Sequence, residues 1–360
     1  MRPGEVLDAQ GDLMERLGHP KFEATIDNLG GFEFGRSGGR GAFHPESSTP
    51  LSTMLRTLLP AAHTYRVTHD MSLLVEHAAA GLDDLDQFDS SLAPTGCGFV
   101  AFDRPIPLID ARGKTMLIHY LAWGPTMVQF ANASDAIGVL RGARSTATMV
   151  VEFNDIWRQP DEVQGELFDS LRETLAEGTP NLTPKQIQQR LDDYQQYMGR
   201  WATVGAAAYL DGQRLGPAKI MPSEEHQAKL LADGFTPHEG TNPVRILHAL
   251  WLLMEQTVAR VETEHPDRPS RRRAAKRRLP PAVTVIRLRR EAGGERAEGE
   301  SLVEWAHRWV VRGHWRWQAV SEHHPLAQEI EPGKFRARIW INPYVKGGDH
   351  LVRDRREPGR

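Results

Sequence analysis

Apolar positions recur along this chain with two periods, and the change from one to the other predicts its elements. Residues 1–62 read as helical at both ends. Between them lie Gly35–Gly41 and the polar run His44–Thr49, which have turn chemistry and are expected to form a flexible loop. After Asp70, a suitable N-cap, Met71, Leu74, Val75, Ala78 and Leu82 fall at helical spacing. Gly98–Phe102, Thr115–Trp123 and Thr146–Phe153 read as strands of a small antiparallel sheet. Val163, Leu167, Leu171 and Leu175 then step by four, and Ile187, Leu191, Tyr194 and Met198 form a second stripe with Pro184 in its first turn. A hairpin is expected from Val204–Leu210 and Gly216–Ile220 around Asp211-Gly212. Asn242-Pro243 opens the most apolar helix, carrying Leu247, Leu250, Trp251, Met254 and Val258.

The pattern changes at Glu264. Residues 264–281 combine prolines with the run Arg271-Arg272-Arg273-Ala274-Ala275-Lys276-Arg277-Arg278 and read as a basic linker. Val283–Leu288, Arg308–Gln318 and Phe335–Asn342 then read as strands. The predicted fold class is therefore α+β. An N-terminal domain of helices and an antiparallel sheet (1–263) is followed by the linker (264–281), a small C-terminal antiparallel β module (282–346) and a flexible tail (347–360).

Charge sharpens this division. The formal net charge of −3 over 360 residues hides 22 Lys and Arg against 13 Asp and Glu from residue 264 onward, a surplus of +9. Residues 1–263 hold the other 22 basic and 34 acidic residues, or −12. An acidic body joined to a basic end implies a polyanionic partner or contact between the two halves. There is no apolar run long enough to cross a bilayer, and the N-terminus has no hydrophobic leader core, so no membrane partner is expected. A single cysteine, Cys97, excludes internal disulfides and Cys-rich zinc modules, which is compatible with the cytoplasm.

Five of the nine tryptophans fall between Trp305 and Trp340. Arg308–Gln318 alternates, with Arg308, Arg312, His314 and Arg316 on one side and Trp309, Val311, Trp315 and Trp317 on the other. Phe335–Asn342 puts Phe335, Ala337, Ile339 and Ile341 inward and Arg336, Arg338 and Trp340 outward. If the two strands pair with these outward sets together, one face offers guanidinium groups for phosphates and an indole for base stacking. On that reading Arg308, Arg312, His314, Arg316, Arg336, Arg338 and Trp340 contact nucleic acid. Arg271, Arg272, Arg273, Lys276, Arg277 and Arg278 add salt-sensitive affinity. The competing reading is an ordinary solvated face and a spacer that docks on the acidic half.

The run Arg308-Trp309-Val310-Val311-Arg312-Gly313-His314-Trp315-Arg316, with Ile339-Trp340-Ile341-Asn342-Pro343-Tyr344-Val345-Lys346-Gly347, resembles the C-terminal signature of a broad set of uncharacterised actinobacterial and actinophage proteins. Tyr65–Met71 and Gly98-Phe99-Val100 are similar to the N-terminal part of that set. The resemblance implies a phage or mobile-element setting and transfers no catalytic role. Trp317-Gln318 departs from the Asn-Gln that commonly follows Gly-His-Trp-Arg in the set.

Other constellations are weaker. His69-Asp70, with His44 or His63, invites a metal-dependent phosphohydrolase reading, although helix capping explains Asp70 more simply. His307, His314, His323 and His324 could hold zinc in a nuclease, yet no paired ligand spacing appears. Arg36 and Arg40 lie in a glycine loop without a P-loop lysine. Leu182–Leu191 has the texture of a helix-turn-helix entry helix, but Asp192-Asp193 follows where phosphates would approach. No cofactor or metal is expected. A nucleic-acid-binding protein is the leading expectation, with a metal-dependent nuclease or other phosphate-ester hydrolase, or a host-protein interaction module, as alternatives.

Overall fold

The computed structural model describes residues 1–30, 50–109 except 85, 115–129, 144–158, 182–216, 219–220, 224–232, 240–289 except 257, 309–341 except 312, and 344–346, with single positions between 164 and 176. Its centre is a seven-stranded mixed sheet in the order β5-β4-β3-β2-β1-β9-β8. The strands are β1 (His63–Val67), β2 (Gly98–Ile109), β3 (Thr115–Gln129), β4 (Arg144–Asp155), β5 (Trp201–Tyr209), β8 (Ala259–Glu264) and β9 (Val283–Leu288). β2 through β5 form an antiparallel meander, whereas β1 runs parallel to both β2 and β9.

Both faces of this sheet are covered, which explains the nearly continuous apolar runs in its strands. Val100, Phe102, Leu121, Trp123 and Val150 pack with α4 (His69–Ala80) and the helix Pro243–Met254. The alternate residues Phe99, Ala101, Tyr120, Ala122, Met149, Val151 and Phe153 pack with α1 (Pro3–Arg16), α2 (Pro20–Gly30) and α3 (Leu51–Ala61). The period of two along each strand thus sorts side chains into two cores. Helix α5 (Pro184–Met198) begins with a capping box between Thr183 and Gln186. It is followed by α6 (Glu224–Ala232), and Pro243–Met254 is α7.

Several expectations change here. Helix α4 begins at His69, with Thr68 rather than Asp70 at its N-cap. The hairpin around Asp211-Gly212 does not form: β5 pairs with β4, and β6 (Lys219–Ile220) pairs with β7 (Gly240–Thr241). The helical stripe from Val163 to Leu175, the glycine loop and the tail lie outside the described residues. The basic stretch is not a linker but contains a nine-residue helix, α8 (Arg268–Lys276). β9, assigned by sequence to the C-terminal module, sits inside the main sheet between β1 and β8. The boundary at 263/264 therefore does not separate two sheets.

Beyond β9, the expected strand Arg308–Gln318 is divided between β10 (Trp309–Val311) and β11 (His314–Val320). β10 pairs with β14 (Tyr344–Lys346); β11 joins β13 (Lys334–Ile341) and β12 (Gln328–Glu331) in a three-stranded antiparallel sheet. The three-stranded sheet is fused to the body. Trp315 and Trp340 enter the core of α4 and α7, and Trp315 Nε1 donates to the Ala78 carbonyl at 2.9 Å. Gln256 Oε1 accepts from Trp340 N at 2.9 Å. The α+β class holds. Among the described residues no helix is long and apolar enough to cross a membrane.

Candidate nucleic-acid interface

Helix α8 is built by local signals that its charge obscures. Asp267 caps it, its Oδ1 accepting from Ser270 N at 2.9 Å, and hydrogen bonding from the Ser270 side chain, then its backbone N–H, holds the Asp267 carboxyl below the usual carboxylate range. Pro269 sits in the first turn. At the other end Leu279 N donates to the Ala274 carbonyl (2.9 Å) and Arg278 N to that of Ala275 (3.1 Å), a Schellman closure. Arg278 takes the left-handed position with φ 57°, where glycine is usual.

Ser270 and Ala274, one turn apart, form the buried strip against α1. The contact is close: a Cβ on Gly4 would fall 2.4 Å from Ser270 Oγ. Arg273 and Arg277 flank the strip. Arg273 makes a two-pronged ion pair with Asp8 (2.8 and 2.6 Å), and Arg277 does the same with Glu15 (2.7 and 3.1 Å). Hydrogen bonding to Arg277 lowers the Glu15 pKa, and the two guanidinium pKa values rise. Arg268, Arg271, Arg272, Lys276 and Arg278 are exposed, and none has an ion pair among the described residues. One basic run thus holds two populations, one docked on the acidic body and one facing solvent.

Beside α8 opens a cleft of about 520 Å³ lined by Asp8, Asp12, Arg16, Trp157, Arg200, Arg273 and Arg277. Trp157, 65% exposed, stands in the short 3-10 turn Ile156–Arg158 just past β4. Asp12 accepts from Trp201 Nε1 (2.5 Å) and Arg16 Nε (3.2 Å), and Arg200 bonds the buried Asp155. The cleft therefore places an exposed indole among fixed guanidinium groups.

The C-terminal sheet does not assemble the expected face. Its register pairs His314 with Ile341, Trp315 with Trp340, Arg316 with Ile339 and Trp317 with Arg338. Directly paired residues share a face, so His314 and Arg316 project opposite to Arg336, Arg338 and Trp340. The reason is the tryptophan pair. Trp315 and Trp340 meet edge to face at 5.2 Å, and burying that pair against α4 puts the whole even-numbered set of β13 on the Trp315 side. Trp340 is buried, and Arg338 is ion-paired to Asp86 with its guanidinium 5.9 Å from the Trp317 ring. Arg316, Arg336 and His314 are exposed; Arg308 and Arg312 lie outside the described residues.

The remaining candidates are not brought together. Among the described residues no group of three or more His, Cys, Asp or Glu is placed to hold a metal ion. His63 is bonded to Thr284 Oγ1 (2.8 Å), His69 is exposed at the start of α4, and His323 lies 3.4 Å from Glu322. His324 Nδ1 accepts from Leu326 N at 3.1 Å. Burial pushes the Cys97 thiol up, away from nucleophilic character. His44 and His307 lie outside the described residues.

Sequence reasoning passed over Trp157. The available signal was an indole directly before Arg158, outside the alternation that ends at Phe153. No protein-family model matches the chain, and neither a curated protein nor a solved structure matches it.

Proposed function

We propose that this protein binds nucleic acid through the outer side of α8 and the Trp157 cleft, in the phage or mobile-element setting that the sequence resemblance implies. The observation that carries the reading is the set of five unpaired, exposed cations on and just past one nine-residue helix, which Arg273 and Arg277 fasten to α1. Like charges gathered this closely repel one another, and a phosphate backbone relieves that repulsion while releasing counterions. Arg272 and Lys276 lie one turn apart on the solvent side, next to the arginines that line the cleft. Phosphates along α8 would bring a base within reach of Trp157, whose exposed ring offers a stacking surface.

The test is fluorescence anisotropy with labelled 20-nucleotide DNA, single- and double-stranded, and RNA, between 50 and 300 mM KCl. Each neutralised phosphate contributes a slope of about −0.9 in log K against log salt on duplex, or about −0.7 on single strands. Contact by all five cations therefore predicts roughly −3.5 to −4.5. Replacing Arg271, Arg272 and Lys276 by Glu should weaken binding at least tenfold and flatten the slope, whereas R316E with R336E on the C-terminal sheet should change it less than twofold. No binding at 50 mM salt, a flat salt response, or wild-type affinity in the triple variant would overturn the proposal.

A further inference from the structure

On the opposite face of the main sheet from α8, a second cavity lies where the body meets the C-terminal sheet. Its volume is about 650 Å³. Phe88, Leu252 and Leu326 supply apolar wall, and Trp317, 43% exposed, stands at its side. Arg245, itself buried, donates to the carbonyls of Ala79 (3.0 Å), Leu82 and Gly216, and so fixes the chain entering the loop that carries Phe88.

Three carboxylates face this space, and they differ in their commitments. Asp86 is neutralised by Arg338. Asp211 accepts from Ser90 N (2.6 Å) and Ser90 Oγ (2.8 Å). Asp89 Oδ1 accepts from Ser91 N (2.9 Å) and Ser91 Oγ (2.6 Å). These bonds hold the Asp89 and Asp211 carboxylates in place, yet neither has a cationic partner among the described residues. His248 also lines the cavity. It is only 4% exposed, and its Nδ1 has no hydrogen-bond partner. Burial holds this imidazole neutral, with its pKa pushed down to about 4 despite the opposing pull of Asp89.

The chemistry of the lining selects the guest. An anion would be repelled by two carboxylates that have no cation beside them, and a purely apolar molecule would shut them away from water with their charge unbalanced, at a cost in affinity. A hard cation wants more oxygen ligands than this site arranges. An organic ammonium offers several N–H donors and a charge attracted to aromatic faces. We propose that this cavity binds a small organic amine in its protonated form, the ammonium held by Asp89, Asp211 and an imidazole nitrogen of His248, and its aromatic or apolar body against Phe88 and Trp317. The site is independent of nucleic-acid binding, and failure of either proposal leaves the other standing.

The test is isothermal titration calorimetry on the full chain at pH 7.5, with tryptamine as the probe and indole-3-ethanol as its uncharged counterpart. Tryptamine should bind at least tenfold more tightly than the alcohol. D89N and D211N, which keep side-chain volume, should each weaken tryptamine at least fivefold and leave the alcohol within twofold. W317L, on the open side of the cavity where folding is least at risk, should weaken both probes. The proposal is overturned if tryptamine gives no binding up to 5 mM, if amine and alcohol bind within twofold of each other, or if folded D89N and W317L both bind tryptamine as the wild type does.

Discussion

Replacing Trp315 by Ala tests whether the C-terminal sheet is part of one cooperative fold. The indole is 9% exposed, donates to the Ala78 carbonyl at 2.9 Å and meets Trp340 edge to face at 5.2 Å. A buried Trp→Ala change costs about 3–5 kcal/mol through lost transfer energy and the cavity left behind. The hydrogen bond accounts for about 1 kcal/mol of net stability and the ring pair for roughly 0.5–1.5 kcal/mol, partly within that range. The expected loss is about 4 kcal/mol, a large share of the ~5–15 kcal/mol that holds a typical domain folded. Trp317, two residues along and on the same side, is 43% exposed and should lose only about 1 kcal/mol in W317A. Urea unfolding followed by far-UV circular dichroism reads both. A single transition shifted strongly for W315A and weakly for W317A is expected. Loss of less than about 1.5 kcal/mol in W315A, or a separate early transition that leaves the main sheet untouched, would refute the single-core reasoning.

Three further outcomes follow from particular residues. Arg278→Gly removes a left-handed non-glycine, whose cost is about 1 kcal/mol, so the variant should melt at the same temperature or higher while binding nucleic acid two- to fivefold more weakly; unchanged affinity would remove Arg278 from the interface. Burial lowers the pKa of His119 and of His248 to about 4, so the unfolded chain takes up protons first as pH falls below 6.5. Stability should then fall by about 1.4 kcal/mol per pH unit for each histidine between pH 6.5 and 4, and a urea midpoint that is flat across that window would contradict their burial. Gly98→Ala would place a Cβ 2.1 Å from Trp123 Cζ2, within the packed centre of the sheet; a melting temperature within 2 °C of wild type would show that the ring has room to move.

β2, β3, β4, β5 and β9 of the main sheet were legible because β-branched and aromatic runs of strand length are hard to disguise, whereas the short β1 and the charged β8 were not read as strands. The assembly of the sheet was less legible. β1 and β9 are separated by more than 200 residues, and nothing local in either marks the other as its parallel neighbour. Helix α8 was misread for a different reason. The density of Arg and Pro pointed to a linker, although Asp267, Pro269 and the four-residue spacing of Ser270 and Ala274 are ordinary helix signals. In the C-terminal sheet the period of two within His314–Gln318 and Phe335–Ile341 sorts the side chains into the right sets, but Trp340, expected outward, is buried. Alternation defines two sides of a strand but cannot say which side of its partner each one joins, and a shift of one residue exchanges them. Here burial of Trp315 with Trp340 made that choice and split the arginines between the faces. The cavity around His248 draws on six separate stretches of chain and left no local trace.

The charge division of −12 and +9 resolves into two uses that the sequence could not tell apart. Arg273, Arg277 and Arg338 answer Asp8, Glu15 and Asp86, so part of the basic end is neutralised by the acidic body on both faces of the main sheet. On the proposed reading that contact would not compete with a polyanion but would hold the surface ready for one. Had α8 been a loose spacer, its cations would have to be ordered on binding, at a cost in side-chain and backbone entropy. Docked through Ser270, Ala274 and two arginines, the helix presents Arg271, Arg272 and Lys276 already in place. If the proposal holds, the inner arginines serve binding by holding α8 in place, whatever phosphate contact they make themselves. If so, D8N with E15Q should weaken nucleic-acid binding even though it removes two negative charges from the neighbourhood. A purely electrostatic surface requires the opposite sign, tighter binding on loss of those carboxylates, and anisotropy at fixed salt distinguishes the two.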